Sequence, residues 1–349
     1  MTSLNSRRFL SLSGARWILV VGDANADLGA ALTHFPREGH DHPLQALTWD
    51  SGGSGANVAT ALGLFGGGVR LLARVGSDPA AEVALRAARA ARVDLSFVQR
   101  DEAVATGLCF AAVSPGGERT FFSHRGANAC LALPEVDGLL DGVGWIHVAG
   151  HALLEGVQRE TTLTLMAEAH RRGIPMSLDL CLPLLAAHPD TLTVDQGSGR
   201  LTVLFANEPE LQAVTGEHHA DLVEEGWLDR ALAVTTAAGI PLVAAKLGAR
   251  GSLIAGLEGD RQTIPPFPVD ARDTTGSGDA YVAAFLFALL TGAPASTAGL
   301  LGNAAGAFVA TRPGAASALP DRETLFAFAD HTKPHDAPDA PDAPHRGSR

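Results

Sequence analysis

Residues 273–285 read DTTGSGDAYVAAF. Two hydroxyl residues and two glycines lead to one carboxylate, Asp279, at the mouth of an apolar run that continues as LFALL to residue 290. The segment before it, PVDARD (268–273), reads as extended chain, and the segment after it as a buried helix. Gly276 and Gly278 therefore fall at a helix N-terminus. The first backbone N–H groups of a helix lack intrahelical partners and carry the positive end of its dipole. Such a start is an anion site, and phosphate is its usual occupant. Asp279 in the first turn, beside the anion, suits a general base that takes a proton from a hydroxyl. On this stretch alone it reads equally as a dipole partner, with Thr274 or Thr275 as the cap.

Working outward, short apolar runs alternate with helix-like segments. WILVVGD (17–23), VRLLARVG (69–76), GWIHVAG (144–150), PMSLDL (175–180), LTVLFANE (201–208) and PLVAAKLG (241–248) read as strands. SGANVATALGLFG (54–66), residues 79–93, 158–173, 228–239, 276–292 and 296–314 read as helices. Strands alternating with helices predict an α/β fold with a mostly parallel central sheet flanked by helices. Two segments break the rhythm, 32–53 and 105–128; residues 105–128 have the pattern of two strands around SPGG. They are expected to form a small β-sheet lid. Residues 1–16 read as a disordered N-terminal extension, 17–328 as the folded domain, and 329–349, with its D-A-P repeats, as a disordered tail.

The totals exclude several classes. The chain has 349 residues and a formal net charge of −12, so nucleic acid and anionic membrane are poor partners. No apolar run has the length of a membrane span. SRRFLSL (6–12) resembles a twin-arginine export signal, but Arg16 interrupts the apolar segment after it, and WILVVG reads as a buried strand. Three scattered cysteines and no C-x-x-C argue against zinc or a disulfide framework and fit the cytoplasm. The chain has only two lysines, Lys246 and Lys333, and no G-K-[ST], so a Walker loop is absent. G-x-G-x-x-G and H-E-x-x-H are absent as well, and VAAK (243–246) is followed by neither H-R-D nor D-F-G.

Another glycine junction, GGSGAN (52–57), places Asn57 at a loop-to-helix boundary, where its amide can donate and accept together. Polyhydroxylated ligands need such pairs; a plain helix start is the alternative. Asn25 and Asp27, in GDANADL (22–28), follow the first strand and point to the crevice at the strands' carboxyl ends; an ordinary βα turn is the equal alternative.

GGSGANVATALGLFG and DTTGSGDAYVAAF resemble the two signature regions of the ribokinase-like (PfkB) carbohydrate kinases. NEPELQAVTG (207–216), KLGARG (246–251) and NAAGAFVATRPGAASALP (303–320) match further family segments in the expected order, over residues 17–328. The resemblance implies an ATP- and Mg²⁺-dependent sugar kinase with Asp279 as base and Gly276, Ser277 and Gly278 as anion hole. It places Asn25, Asp27, Gly52, Gly53 and Asn57 on the sugar, and Asn207 and Glu210 with magnesium and phosphate. Lys246, Gly248, Gly251 and Asn303 fall on the nucleotide side, and Asp273 with the carbonyls near Thr275 and Arg312–Gly314 beside a monovalent cation (K⁺). A nucleoside kinase is the alternative within the family, and a non-catalytic sugar-binding regulator the alternative outside it.

Departures bear on the substrate. Ser54 stands where ribokinases carry Lys, His151 near an acid position, and Ala318 where Ser is frequent; DLCLP (179–183) keeps only Asp179 of the D-x-N-x-R pattern of ketodeoxygluconate kinases. Arg119 and Arg125 fall on the lid, where Arg125 suits a carboxylate or phosphate of the substrate; a solvated face is the commoner alternative. The lid's surplus of Leu44, Leu47, Trp49, Phe110, Phe121 and Phe122 predicts a homodimer through it.

Overall fold

The computed structural model describes residues 17–44, 46–114, 119–192, 201–215, 226–257, 259–332 and 334. The N-terminal extension, nearly all of the tail and the centre of the SPGG turn lie outside the described residues. In chain order the strands are β1 (Trp17–Val21), β2 (Asn25–Ala31), β3 (Ala46–Gly52), β4 (Val69–Leu72), β5 (Arg74–Gly76), β6 (Gln99–Asp101) and β7 (Gly107–Val113). They continue with β8 (Arg119–His124), β9 (Val143–Ala149), β10 (Met176–Asp179), β11 (Leu201–Asn207), β12 (Leu242–Lys246), β13 (Ser252–Gly256) and β14 (Arg261–Ile264). The helices are α1 (Ser54–Leu64), α2 (Pro79–Ala90), α3 (Val136–Leu140), α4 (Gly156–Arg171), α5 (Leu182–Ala187), α6 (Glu208–Val214), α7 (Trp227–Ala237), α8 (Ser277–Leu290), α9 (Ala295–Ala310) and α10 (Arg322–His331).

Eight strands form the central sheet in the order β14-β13-β12-β11-β10-β9-β1-β4. It is parallel from β4 to β12, with β13 and β14 antiparallel at one edge. Its strands are apolar on both faces because helices cover both. Ile18 and Val20 join a core with α1, α2, α8 and α9, while Leu19 and Val21 join the opposite core with α3 to α7. This layering brings the carboxyl ends of β1, β9, β10, β11 and β12 to one edge, where α/β sheets bind ligands. No described helix is long and apolar enough to cross a membrane.

The smaller sheet has the order β3-β2-β7-β8. The lid begins earlier than expected: residues 25–31, read as a crevice turn, form its central strand β2, between β3 and β7. The two anticipated segments therefore meet through β2 and not directly. Side chains in register share a face, so Trp49, Leu28, Phe110 and Phe122 make one apolar row, whereas Asp27, Asp50 and Cys109 lie on the other face. Leu47, Trp49, Phe121 and Phe122 are each about half exposed (51, 45, 52 and 54%). Phe121 is on the Asp27 face.

Two further boundaries differ from the sequence reading. VRLLARVG splits into β4 and β5, and β5 leaves the large sheet to pair with β6. Helix α10 runs into the expected tail as far as His331, because Asp321 caps it and Phe328 packs on Phe267 and Phe308.

Candidate active site

The two glycine signatures fold as two uncapped helix starts facing each other. Gly53, at φ 87°, precedes α1 and Gly276, at φ 75°, precedes α8; neither helix has a side-chain cap. Left-handed backbone at Gly276 is inexpensive only for glycine. It aims the first amides of α8 at the cleft, although the Ser277 amide turns back to the Thr274 carbonyl (3.1 Å). Asn57, on α1, donates from Nδ2 to Asp279 Oδ2 at 2.8 Å. Burial pushes the Asp279 carboxyl up to about 7; Asp179 adds to the shift and the Asn57 hydrogen bond opposes it.

On the lid side, Asp27 is likewise raised to about 7, by burial first and then by Asp50 and Asp279. Its carboxyl leaves no room for a side chain at residue 52: a Cβ on Gly52 would lie 2.1 Å from the Asp27 carboxyl carbon. Asp27 Oδ1, Asn57 Oδ1, Ser54 Oγ and Ser277 Oγ are buried without a hydrogen-bond partner among the described residues. Asn25 Oδ1 accepts from Asn128 Nδ2 (2.8 Å), and Asn128 Oδ1 accepts the Ala24 amide (2.9 Å), so Asn128 fixes the turn from β1 into the lid.

At the ends of the central strands, Lys246 on β12 pairs with Asp179 on β10, Nζ to Oδ1 at 2.6 Å. Burial opposes the Lys246 ammonium, but Asp179 and Glu210 outweigh it and hold its pKa above the ordinary lysine value. Burial raises Asp179 against the pull of Lys246. Asn207 and Glu210 form a capping box at the start of α6: Asn207 N and Nδ2 donate to the Glu210 carboxyl (2.7 and 2.9 Å), and Glu210 N donates to Asn207 Oδ1 (2.9 Å). Burial lifts Glu210 to about 7. A cavity of about 200 Å³ has Ser54, His151, Asp179, Glu210, Lys246 and Asp279 among its walls; Asn25, Asp27, Gly52, Gly53 and Asn57 are not among them.

Residues 16–322 match the pfkB family carbohydrate kinase profile. The chain belongs to the PfkB family of carbohydrate kinases. It is 30% identical over 315 residues to the ATP-dependent ribose-1-phosphate kinase of Halopiger xanaduensis (89% of this chain, 97% of that one). It is also 30% identical over 324 residues to the fructokinase of Klebsiella pneumoniae (90% and 99%). The Arabidopsis thaliana ribokinase structure with ribose and ATP superposes with a TM-score of 0.75 at 22% identity, over 90% of this chain and 98% of that one. This PfkB chain is thus a sugar kinase, a phosphotransferase with an alcohol acceptor, and its relatives use ATP.

Not every residue anticipated from the signatures reaches the cavity. Arg125 is turned to the end of β1, where Nη2 donates to Asp23 (3.1 Å) and to the His151 carbonyl (2.9 Å) and also meets Gln158. Burial keeps the His151 imidazole below the ordinary histidine range. Asn303 Nδ2 donates to the carbonyls of Ile264 (3.1 Å) and Pro265 (2.9 Å), tying α9 to the chain after β14. Gly248 and Gly251 bracket the turn between β12 and β13, Gly251 directly under the Ile264 carbonyl. Asp273 accepts the amides of Thr275 (2.8 Å) and Gly314 (2.7 Å), which joins the two loops expected beside a cation. Sequence reading left Asp23, Asn128, Asp179 and Gln158 out of the site. A signal existed only for Asp179, the surviving acid of D-x-N-x-R.

Among the described residues no group of three or more His, Cys, Asp or Glu side chains is arranged to hold a metal. Mg²⁺ keeps several waters and binds through one or two carboxylates and substrate phosphates. Glu210 and Asp179, both in the cavity wall, fit that requirement.

Proposed function

We propose that the chain transfers the γ-phosphoryl of ATP to a hydroxyl of a small ribose- or fructose-like sugar, with Asp279 as general base and the Gly276–Gly278 helix start as anion hole. The observation that carries this reading is the 2.8 Å bond from Asn57 Nδ2 to Asp279 Oδ2. It sets a buried carboxyl between a polar cradle and an uncapped helix N-terminus. A carboxyl near pKa 7 is matched to taking a hydroxyl proton at neutral pH. The acceptor oxygen then attacks the γ-phosphorus, the bond to the β-phosphate oxygen breaks, and the proton leaves Asp279 for solvent.

Phosphoryl transfer needs positioning and charge neutralisation more than covalent help. Asp27, Asn57 and Asn25 orient the sugar, and Gly52 and Gly53 let it approach the backbone. The α8 amides and Lys246 neutralise the moving charge. Mg²⁺, held by Glu210 and Asp179 with the nucleotide phosphates, supplies further neutralisation when bound. K⁺ against the loops around Asp273, Thr275 and Arg312–Gly314 would order the anion hole, and activity with and without it tests this. His151 lines the cavity and would face the sugar, with Arg125 behind it. Asn207 serves by fixing Glu210, while Gly248, Gly251 and Asn303 shape the nucleotide side.

The lid covers the sugar, and its half-exposed Leu47, Trp49 and Phe122 favour packing on another copy of the chain; a monomer in sedimentation would refute the dimer. The unpaired Cys109, Cys130 and Cys181 suit a cytoplasmic enzyme. The decisive experiment screens D-ribose, ribose 1-phosphate, D-fructose and nucleosides for acceptor-dependent ADP release. Release with a sugar supports the reading. Release only with nucleosides makes the chain a nucleoside kinase, and binding without release makes it a regulator.

A further inference from the structure

Asp50 has a place that the reaction just described does not use. It stands directly opposite Asp27 across the β2–β3 pair, on the same face of the lid. Like charges so placed repel, and Asp50 is one of the groups that raise Asp27. Asp50 instead finds its partners outside the lid. Its Oδ2 accepts from Ala315 N (3.1 Å), Ser317 N (3.2 Å) and Ser317 Oγ (2.7 Å), while Oδ1 accepts from Ser51 N (2.8 Å). Ala315 to Ser317 belong to the turn after α9, in the main body of the molecule.

That turn backs the anion hole. A Cβ on Gly276 would lie 3.2 Å from Ala315 Cα, and the preceding amide, Gly314 N, bonds to Asp273 Oδ2 at 2.7 Å. A continuous series of contacts thus runs from the sugar-facing strands through Asp50 and the 314–317 turn to Gly276 and Asp273. Three donors on one carboxylate oxygen make it a directional joint, and hydrogen bonds to a charged acceptor are the strong ones. Apart from strand ends and the chain itself, it is the described polar contact that joins β3 to this turn.

We propose that Asp50 is a positioning residue that fastens the foot of the lid to the loop behind the anion hole, so that the sugar hydroxyl and the phosphoryl group are aligned together. This rests on the sugar-kinase reading. Asp50 touches neither substrate. It acts by fixing the β2–β3 pair, and with it Asp27, relative to Gly276. Misplacement of about 1 Å can cost on the order of 10²-fold in rate.

The test uses the full chain, Asp50→Ala, Asp50→Asn and Ser317→Ala, with ATP and Mg²⁺ as the first probe. In the unaltered protein, adding ATP and Mg²⁺ without sugar should slow amide exchange at Gly276–Gly278, at 314–317 and also in β3. In Asp50→Ala the protection of α8 should persist and that of β3 should vanish. With the best acceptor, kcat should fall roughly 10–100-fold in Asp50→Ala and less in Asp50→Asn, which keeps one acceptor oxygen. Ser317→Ala should lie nearest the unaltered enzyme. Protection of β3 that survives Asp50→Ala, or an unchanged kcat, overturns the proposal. Should Asp50→Ala fail to fold, Asp50→Asn and Ser317→Ala carry the same comparison. Failure of the sugar-kinase reading would differ: no acceptor turns over, while nucleotide still protects β3 through Asp50.

Discussion

At the proposed phosphate end of the cleft the polar side chains satisfy one another, Ser277 Oγ excepted: Lys246 with Asp179, and Asn207 with Glu210 in three hydrogen bonds. At the sugar end they do not. Asp27 Oδ1, Asn57 Oδ1 and Ser54 Oγ are buried with no partner among the described residues, and Asp27 stands opposite Asp50 and is raised to about 7. A phosphoryl group is a fixed anion, and it can be met by a preassembled cation and helix start. A sugar brings its own hydroxyl donors, so its cradle must hold unspent acceptors. Such acceptors are costly until filled, since a buried unpaired polar group loses its hydration without compensation. The two ends should therefore respond differently to the same kind of substitution.

The largest effect should come where the ends meet. Asp279→Asn keeps shape and removes the base, so kcat should fall by roughly 10²–10⁴-fold with little change in sugar affinity. In the unaltered enzyme the raised pKa also sets the acid limb. Protonation below about pH 7 disarms the base, so kcat/KM should drop as pH falls through that value and level off above it. A near-normal kcat in the variant, or an acid limb near the ordinary carboxylate pKa, would remove Asp279 from the chemistry.

Next comes the phosphate end. Lys246→Met leaves Asp179 buried without its partner, and breaking such a pair costs about 3–5 kcal/mol. Thermal unfolding should drop sharply, and Asp179→Asn added to Lys246→Met should recover part of the loss. ATP affinity should fall in both variants while sugar binding holds. An additive double-mutant cycle would show that the 2.6 Å contact carries no coupling.

Asn57→Ala probes the sugar end and should be gentler. The loss of one amide should raise the sugar KM by an amount corresponding to about 1–3 kcal/mol, with the ATP KM almost unchanged. Because the Asn57 bond lowers the Asp279 pKa, the acid limb should also move to higher pH. Loss of ATP affinity with intact sugar affinity would exchange the two ends.

This asymmetry bears on what a sequence reveals. The glycine-led start of α8 was legible because DTTGSGD packs glycines, a carboxylate and an apolar run into one short stretch. The parallel sheet was legible because each strand is apolar on both faces. Strand β2 was hidden, since NADLGAA lacks β-branched residues and gains its strand geometry from β3 and β7 on either side. The Lys246–Asp179 pair spans 67 residues, and no local pattern encodes it. Asp50 carried no signal at all: an acid in an amphipathic strand reads as a solvated edge until its three donors, 265 and 267 residues away, are in place.

The smallest effect is the sharpest test of the comparison, because it reads the unfilled sugar end directly. Asp27 has an ordinary carboxyl pKa of 3.8 when unfolded and about 7 when folded. The folded protein therefore binds this proton more tightly, and the associated stability is fully present below 3.8 and lost as pH rises through about 7. Asp27→Asn cannot ionise and loses nothing over that window. The variant's unfolding temperature, relative to the unaltered protein, should accordingly rise between pH 5 and pH 8, by a few degrees, on the order of 2–4 °C per kcal/mol relieved. Sugar affinity should fall at the same time, which separates the stored electrostatic cost from a mere packing gain. Asp179→Asn should instead lower the unfolding temperature at both ends of that pH range, because it leaves Lys246 buried without its 2.6 Å partner. If Asp27→Asn gains nothing at pH 8, the sugar end is as well satisfied as the phosphate end and the contrast between them fails.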